Sequence, residues 1–473
     1  MLWAACFGET ERVLLPWFAL VPLVWLCGRP RGALLALLHG TVAWIIAIPW
    51  IVPTVVTYGG LPPALAVVLF TLLALYLGAY HAAFVALGRG QWRRGGFVAL
   101  CALPALWCLL EVARGWLLSG FPWNQAGHAW IAVAGALPVS AWIGVHGVSF
   151  LVLLANAGIA RGLAVRRWEP AAAACLVALL VLALGARWAT PTEASGPRLP
   201  VRIVQPNTPI LGSEDRAEID AAYQRMLRFT REACDREGAL VVWPESAGWP
   251  HVLEQDAAFR ADVEAAAARC AILLNSPRFD GERVYNAAYL LEPGGKLGHY
   301  DKRHLVPFGE YVPLARVLPF VGALARNAGG FTASDEVSLL RWRSVTLGLA
   351  ICFEVTFPSE VAALARDGAT AIATLTNDAW YGSSSAPWQH LRAARFRAAE
   401  NQRTILRAAL TGVSAWIGPA GALEASLGVG EEGILRGELA PRQGLTPYTR
   451  APWAVPLACL AVFAFAIFAR RRG

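Results

Sequence analysis

Three residues with reactive side chains follow apolar, strand-like segments of the sequence. Cys352 ends the segment LAIC, Glu245 comes after VVWP, and Lys302 lies just past the apolar return strand of a hairpin, in the segment GHYDKRHLV. Ligands of layered α/β proteins usually bind at the ends of strands. The three residues are therefore candidates for one site.

Taken one at a time, each residue has an ordinary role that is the better interpretation. Glu245 could cap a following helix, Lys302 could be a solvated loop lysine, and Cys352 could be a buried core residue, as free cysteines often are. Together they form a coherent site for acyl transfer. A carboxylate can take the proton of a thiol, and a lysine can stabilise the thiolate and the oxyanion of a tetrahedral intermediate.

The sequence around these residues alternates between short strands and amphipathic helices. Such alternation indicates an α/β layered core, because each apolar face needs another layer to cover it. The segment EPGGK (residues 292–296) reads as a hairpin turn. The predicted strands are residues 202–205, 239–243, 271–275, 284–291, 346–352, 370–376 and 404–410, and the predicted helices are residues 216–237, 255–269, 359–367 and 387–402.

The first part of the chain and its end have the composition of a membrane protein. Of 473 residues, 56% are hydrophobic and 16% are charged, and the mean hydropathy is +0.46. A helix needs about 20 apolar residues to cross a bilayer. The apolar stretch 129–142 is broken by Gly135 and Pro138 and is interpreted as interfacial or re-entrant. The predicted spans are Val13–Cys27, Ala33–Val52, Pro63–Leu87, Phe97–Leu118, Ile143–Ala160, Ala171–Ala186 and Ala454–Phe468.

The distribution of arginines predicts how these helices are oriented, because short loops rich in Lys and Arg stay in the cytoplasm. Alternate loops are basic (residues 28–32, 88–96, 161–168 and 470–473), and the loops between them, residues 57–63 and 119–128, contain no Lys or Arg. The net charge of +8 is partly explained by these arginines and does not indicate nucleic-acid binding.

This orientation predicts a multi-pass protein of the inner (cytoplasmic) membrane in three parts. They are a transmembrane domain of about six helices (residues 1–190), a periplasmic catalytic domain (191–450), and a C-terminal transmembrane helix with a basic tail (451–473). The same count leaves the N-terminus outside the cytoplasm with no obvious signal peptide. One hypothesis is that Met1 is an internal start and that a first helix is missing.

Three of the nine cysteines fall in the outer domain. An unpaired thiol in an oxidising compartment needs burial or a function. A disulfide between Cys234 and Cys270 is possible, and it would leave Cys352 free.

Several segments resemble those of a known superfamily. WPES (residues 243–246), YDKRHLVPFGEYVP (300–313), ICFE (351–354) and TNDAWYG (376–382), in this order, resemble the nitrilase superfamily, and RAAEN (397–401) resembles its structural helix. The whole chain, with helices before and after such a domain, resembles the apolipoprotein N-acyltransferase family. The longer segments that carry this resemblance are HLVPFGEYVP (304–313), NDAWYG (377–382), PWQHLRAARFRA (387–398), GLTPYTR (444–450) and RGWLLSGFPWNQAG (114–127).

This resemblance implies an αββα sandwich and a role for each matching residue. Glu245 would be the general base, Lys302 the oxyanion and positioning residue, and Cys352 the nucleophile, with Glu310 and Glu354 as supporting acids. It also implies two half reactions. Cys352 would take an acyl chain from a phospholipid, typically phosphatidylethanolamine, as a thioester, and the N-terminal amine of a diacylglyceryl-cysteine in an apolipoprotein would receive it. No cofactor or metal is required, and a monomer is expected.

Four aromatic residues are candidates for contacts with substrate. Phe308, Trp380, Tyr381 and Trp388 could line the route of the acyl chain, or they could be core or membrane-interface aromatics. The chain also departs from the family pattern at Phe353, which stands where a tyrosine is common after the nucleophile. Any hydrogen bond from that hydroxyl is absent here.

Two groups of charged residues have a structural and a functional interpretation. Glu111 and Arg114 stand three apart on one helix and could be a buried functional pair, although a snorkelling pair near the outer interface is favoured. The arginines of residues 389–407 are interpreted as a solvated helix face with internal pairs, in preference to a site for lipid headgroups.

Two alternatives to the acyltransferase remain open. A membrane-tethered amidase of the nitrilase type would hydrolyse the acyl-enzyme with water. A transporter or lipid-binding protein would carry a non-catalytic outer domain, and its activity would survive the loss of Cys352.

Overall fold

The structure is a computed structural model that describes residues 1–57, 59–188, 192–210, 216–311 and 330–468. Some sequence expectations fall on other residues. Tyr58 of the loop 57–63, the boundary at residues 190 and 191, the end of the 300–313 motif beyond Tyr311, and the basic tail from residue 470 lie outside the described residues.

The first part of the chain folds into helices that are apolar on most of their surface, as expected for segments that face lipid. Within the described residues, α4 to α7 are each long and apolar enough to cross a membrane, and α2 and α3 form a fifth candidate that is bent by 57°. The helices are α1 (Val21–Trp25), α2 (Gly32–Ala47), α3 (Ile51–Thr57), α4 (Pro63–Arg94), α5 (Gly96–Arg114), α6 (Ala136–Val165) and α7 (Glu169–Trp188).

Several predicted spans differ from these helices. The first is a shorter apolar segment, Leu15–Gly28, which is interrupted between short helical turns, and the last helix of the chain has 15 residues. The predicted span 97–118 ends at Arg114, because the chain leaves the helix at Gly115 and takes a left-handed conformation at Leu118. The stretch 129–142 is split, since its second part begins α6.

Helix α6 is broken at Gly144, where the backbone leaves the helical conformation with φ +63°. The ring of Tyr448 packs so closely on Gly144 that a side chain there would collide with it. The N–H group of Val145, freed by the break, donates to Glu400 Oε1 over 2.7 Å. A residue from late in the sequence therefore caps the second half of a helix in the membrane part.

The strands in the rest of the described chain form two six-stranded sheets. The first has the order β12-β1-β2-β3-β4-β5 and the second has the order β11-β10-β9-β8-β7-β6. The central strands β1 to β3 and β7 to β9 are parallel, and the outer pairs are antiparallel. The strands are β1 (Leu199–Gln205), β2 (Leu240–Val242), β3 (Ala271–Asp280), β4 (Arg283–Leu291), β5 (Leu297–Asp301), β6 (Leu340–Trp342), β7 (Val345–Leu349), β8 (Ala371–Thr376), β9 (Ile405–Ala409), β10 (Ser414–Ile417), β11 (Leu423–Leu427) and β12 (Gly433–Leu439).

The two sheets pack face to face, and helices cover their outer faces. Apolar side chains such as Ile203, Leu273, Leu347 and Leu406 fill the space between the sheets. The first sheet packs against α8 and α9, and the second against α10 and α11. The predicted αββα sandwich is confirmed. The remaining helices are α8 (Arg216–Ala233), α9 (Ala257–Ala266), α10 (Pro358–Arg366), α11 (Ala386–Asn401), α12 (Pro447–Arg450) and α13 (Ala454–Phe468).

All seven predicted strands and four predicted helices of this domain exist, with shifted ends. The main difference is at β7, which ends at Leu349, so that Cys352 lies beyond the strand and not in it. Strands β6 and β10 to β12 were not predicted. The side chains of β11 are mostly exposed, so this edge strand lacks the apolar alternation that indicates a strand.

Cys234 and Cys270 form a disulfide. Cys234 follows α8 and Cys270 precedes β3, so the bond ties a covering helix to the sheet beneath it.

Closing a loop of 36 residues should stabilise the fold by about 3–4 kcal/mol. We expect a reducing agent to lower the melting temperature of the purified protein in detergent. The double variant Cys234→Ala, Cys270→Ala is the control, because it should melt at the lower temperature with or without reductant. Identical melting of the oxidised protein and the double variant would contradict this contribution.

Candidate active site

Cys352 lies on a short 3-10 turn, Cys352–Thr356, that follows β7. Its φ is +51°, in the left-handed region, which costs a non-glycine residue about 1–2 kcal/mol. Neighbouring contacts hold the chain on both sides. Glu354 Oε2 accepts the N–H of Ile351 over 2.6 Å, and His390 Nε2 lies 2.9 Å from the carbonyl oxygen of Cys352. Such strain often marks a functional site.

Lys302 is buried between two carboxylates. Its Nζ lies 2.9 Å from Glu310 Oε1 and 3.6 Å from Glu245 Oε1. Glu245 follows β2, and Lys302 follows β5 directly, so both side chains leave the same sheet. The lysine is 1% exposed. Because a buried ammonium without a partner is very unfavourable, the two acids and the lysine form one electrostatic unit.

Two asparagines orient the carboxylate of Glu245. Asn286 Nδ2 donates to Glu245 Oε1 over 2.9 Å and also to Glu310 Oε1 over 2.6 Å. The N–H of Asn377 donates to Glu245 Oε2 over 3.0 Å. Asn275 Nδ2 in turn donates to Asn286 Oδ1, which fixes which end of that amide faces the acids.

The pKa values of the three central groups influence one another. Burial raises the pKa of Glu245, with Lys302 opposing this change and Glu310 adding to it. Burial and the nearby Glu245 raise the pKa of the Cys352 thiol, and Lys302 opposes the increase. Burial alone would lower the pKa of Lys302, but Glu310 and Glu245 raise it above its usual range. The site therefore combines a thiol and a glutamate whose pKa values are both raised with a lysine whose positive charge is favoured by two acids.

This arrangement is suited to nucleophilic acyl transfer. A protonated thiol needs a base before it can attack a carbonyl carbon. A carboxyl group with an increased pKa is a better base near neutral pH than an ordinary one. A fixed ammonium beside the thiol can stabilise the negative charge that develops during the attack.

Glu354 joins the loop of Lys302 to the turn of Cys352. Its Oε1 accepts the N–H groups of Arg303 and His304 over 2.7 and 3.1 Å, and the hydroxyl of Tyr300 over 2.9 Å. Its Oε2 accepts the N–H before Cys352. Glu354 thus acts through the positions of other groups, whereas Glu310 contacts Lys302 directly.

The four aromatic residues named as possible substrate contacts lie in different places. Phe308 and Trp380 are 51% and 38% exposed. Tyr381 packs on Trp50 and Trp123 of the membrane part, with ring centroids 4.7 and 6.3 Å apart. Trp388 is half-buried and packs against the apolar cluster between the second sheet and its helices.

The prediction that the arginines of residues 389–407 form a solvated face is wrong. Helix α11 packs against both the second sheet and α6, so little of its surface meets water. Each buried arginine has an internal partner. Arg397 pairs with Glu400 over 2.6 Å, Arg407 pairs with Asp378 over 2.6 Å, and Arg403 donates to backbone carbonyls.

The favoured interpretation of Glu111 and Arg114 as a snorkelling pair is also wrong, because both side chains are buried. Arg114 Nη1 donates to the carbonyl oxygens of Phe121 and Trp123 over 2.8 and 2.6 Å. Glu111 Oε1 accepts the N–H of Ala126 over 2.7 Å. The two charges secure the loop that carries Trp123 toward the site.

Residues that the sequence analysis missed complete the surroundings of the site. Asn286 lies in a strand and has no distinguishing pattern. Asp378 and His390 stand within segments that were noted for their resemblance, but nothing in their spacing indicates that both side chains approach Cys352. The missed residues are Asn275, Asn286, Thr376, Asp378, His390 and Arg407.

Comparison with known proteins decides the family. Residues 201–446 match the carbon-nitrogen hydrolase family, and residues 1–158 match the apolipoprotein N-acyltransferase N-terminal domain. A protein of Geobacter metallireducens called apolipoprotein N-acyltransferase is 36% identical, over 98% of this chain and 92% of its own length. The chain belongs to the apolipoprotein N-acyltransferase family.

A second relative agrees with this assignment. A Methylococcus capsulatus protein of the same name is 34% identical, over 96% of this chain and 91% of its own length. Among solved structures, an amidase of Nesterenkonia has a TM-score of 0.41 at 24% identity and covers 54% of this chain and 94% of its own. Nit3 of Saccharomyces cerevisiae, from the nitrilase superfamily, has a TM-score of 0.41 at 20% identity, over 55% and 97% of the two chains.

The acids around Lys302 lead to a prediction about pH. Glu310 raises the pKa of Glu245 by charge repulsion. Replacing Glu310 by glutamine should therefore lower the pKa of Glu245, so that the base stays ionised in more acidic solution. We expect the acid limb of the pH profile for Cys352 acylation to move to lower pH. The acylation rate at each pH is measured as the gain in mass of the protein with time.

The matched control for this measurement is Glu360→Gln, since Glu360 pairs with His304 and does not contact Lys302. That variant should keep the wild-type profile. An acid limb that moves to higher pH in Glu310→Gln would contradict the assigned charge repulsion.

Proposed function

We propose that this chain transfers an acyl chain from a phospholipid to the N-terminal amine of the diacylglyceryl-cysteine of apolipoproteins, through a thioester on Cys352. The observation that carries the proposal is the match of both parts of the chain to one family. The match includes the membrane part, which a soluble amidase would not need.

The first half reaction forms the thioester. Glu245 accepts the proton of Sγ as the sulfur attacks the ester carbonyl of the phospholipid, and the ammonium of Lys302 stabilises the oxyanion. When the tetrahedral intermediate collapses, the carbon–oxygen bond breaks. The departing oxygen takes the proton from Glu245 and leaves as the hydroxyl of a lysophospholipid.

The second half reaction transfers the acyl chain to the amine. The neutral α-amine attacks the thioester carbonyl, Glu245 accepts a proton from the attacking nitrogen, and the carbon–sulfur bond breaks. The thiolate takes the proton back from Glu245. An amide is formed and Cys352 returns to its starting state, so the two substrates react in turn in a ping-pong sequence.

The membrane part supports this choice of substrates. A phospholipid and a lipid-anchored protein both remain at the bilayer, so an enzyme that joins them has to work there. Burial and the nearby Cys352 raise the pKa of Tyr381. The ring of Tyr381 packs directly on Trp50 and Trp123 of the membrane part. The basic loops support a location of the catalytic domain on the periplasmic side of the inner membrane. We further propose phosphatidylethanolamine as the donor and a monomer as the active form.

The decisive experiment is intact-protein mass spectrometry after incubation with phosphatidylethanolamine in detergent. We expect a mass gain of one acyl chain that neutral hydroxylamine removes. Cys352→Ala should show no gain, and Glu245→Gln should slow it by at least about 100-fold, the usual effect of losing a general base. Cys101→Ala, which removes another free cysteine, is the matched control and should acylate normally.

The fate of the adduct distinguishes the alternatives. A lipopeptide with a free diacylglyceryl-cysteine amine should discharge the acyl-enzyme, and its N-acetylated form should not. Discharge in water alone at the same rate would indicate an amidase. Absence of any adduct and of lysophospholipid would indicate a non-catalytic lipid-binding protein.

A further inference from the structure

A buried group of four polar side chains surrounds Cys352 and takes no part in the steps above. Its members are Thr376, Asp378, His390 and Arg407, and each is at most 1% exposed. Thr376 Oγ1 lies 3.4 Å from the sulfur of Cys352 and 3.0 Å from Asp378 Oδ1. A group of buried polar residues next to a nucleophile requires an explanation, because each polar atom has to be paired to be tolerated there.

One contact determines that His390 carries a hydrogen on Nε2. His390 Nε2 is 2.9 Å from the carbonyl oxygen of Cys352. A carbonyl oxygen can only accept, so Nε2 must carry the hydrogen. On the other side of the ring, Arg407 Nη2 lies 3.3 Å from His390 Nδ1. Nδ1 lies equally far, 3.3 Å, from Asp378 Oδ1, which can only accept, so this nitrogen faces a donor and an acceptor at the same distance.

A charged pair, Arg407 and Asp378, lies next to the ring of His390. Arg407 Nη2 pairs with Asp378 Oδ2 over 2.6 Å, so the cation already has its anion. Burial opposes ionisation of Asp378, but Arg407 lowers the pKa of that carboxyl to about 2. Burial and Arg407 lower the pKa of His390, and Asp378 opposes this change. A charged pair thus lies behind an imidazole whose Nε2 hydrogen points at the backbone of Cys352.

The membrane part holds the imidazole ring in place. Trp123 stacks on His390 with centroids 5.5 Å apart and an interplanar angle of 29°. Trp123 Nε1 donates to Gln389 Oε1 over 2.6 Å, and Gln389 Nε2 donates to the carbonyl oxygen of Ala47 over 2.8 Å. The ring is therefore fixed by its own helix on one side and by a membrane-part tryptophan on the other.

We propose that His390 is a positioning residue for the nucleophile. Its Nε2 hydrogen bond keeps Cys352 in the left-handed conformation that holds the sulfur beside Glu245 and Lys302, and Trp123 fixes the ring in the orientation that makes this bond. Without the bond the backbone of Cys352 relaxes toward an ordinary conformation, and the sulfur moves away from its base. The inference rests on the proposed function in taking Cys352 as the nucleophile.

The test compares two amides of different reach at position 390. In His390→Gln, the side-chain nitrogen can occupy the place of Nε2 and donate to the Cys352 carbonyl. In His390→Asn, the nitrogen reaches only the place of Nδ1. Both variants keep a polar side chain next to Asp378 and Arg407, so they form a matched pair. Melting temperatures in detergent verify that both are folded.

Two rates are measured for each folded variant. One is alkylation of Cys352 by iodoacetamide across a range of pH, followed by peptide mass mapping, and it requires no lipid. The other is acylation by phosphatidylethanolamine at increasing lipid concentration. We expect His390→Asn to lower both rates by about 100-fold, the effect of an ångström-scale displacement of a reacting group. His390→Gln should stay within about tenfold of wild type, with the half-saturating lipid concentration unchanged in both.

Each outcome decides the proposal. Equal rates in the two variants, whether fast or slow, would overturn the role of the Nε2 donor. A change confined to the half-saturating concentration would also overturn it, because that would indicate a substrate contact. If alkylation separates the variants but no form of the protein acquires an acyl chain, the positioning role stands and the proposed acyl transfer fails.

Discussion

The burial of helix α11 between the second sheet and α6 is the constraint on which the rest of the structure depends. One face of this helix lies on the sheet that leads to Cys352, and another contacts a helix of the membrane part. Glu400 caps the broken α6 at Val145, and Gln389 donates to carbonyl groups of Phe7 and Ala47. Helix α11 therefore belongs to the core of the two-sheet sandwich and also packs against the membrane part, so the two parts are joined through this helix.

A helix in this position cannot leave its charges in water, so every buried charge on it or beside it needs an internal partner. Arg397 pairs with Glu400, and Arg407 with Asp378. Lys302 follows the same rule with Glu310 and Glu245. Removing one member of such a pair typically lowers the free energy of unfolding by about 3–5 kcal/mol, because the other charge stays buried. This rule explains why the neighbourhood of the thiol is strongly polar.

Local sequence pattern predicts the strands and helices of the sandwich, because their apolar periodicity reflects one buried face. The positions of Glu245, Lys302 and Cys352 after strands mark them as candidates for the site. Local pattern does not predict burial that arises from packing between distant parts of the chain. The arginines of α11 have the spacing of a solvated face, and only the packing of two parts of the protein around them makes them interior. Asn286 and His390 carry no local signal, since their importance comes from partners about 40 residues away in sequence.

The sequence alone determined which segments are apolar, which fold class the outer domain adopts and which residue types are available for chemistry, because these depend on composition and short-range periodicity. The tertiary structure alone decided the left-handed conformation of Cys352, the sharing of Lys302 between two acids, and the hydrogen bond from His390 Nε2 to the backbone of Cys352. These features depend on distances of about 3 Å between side chains from separate elements. Such distances are set by packing, which no single segment specifies.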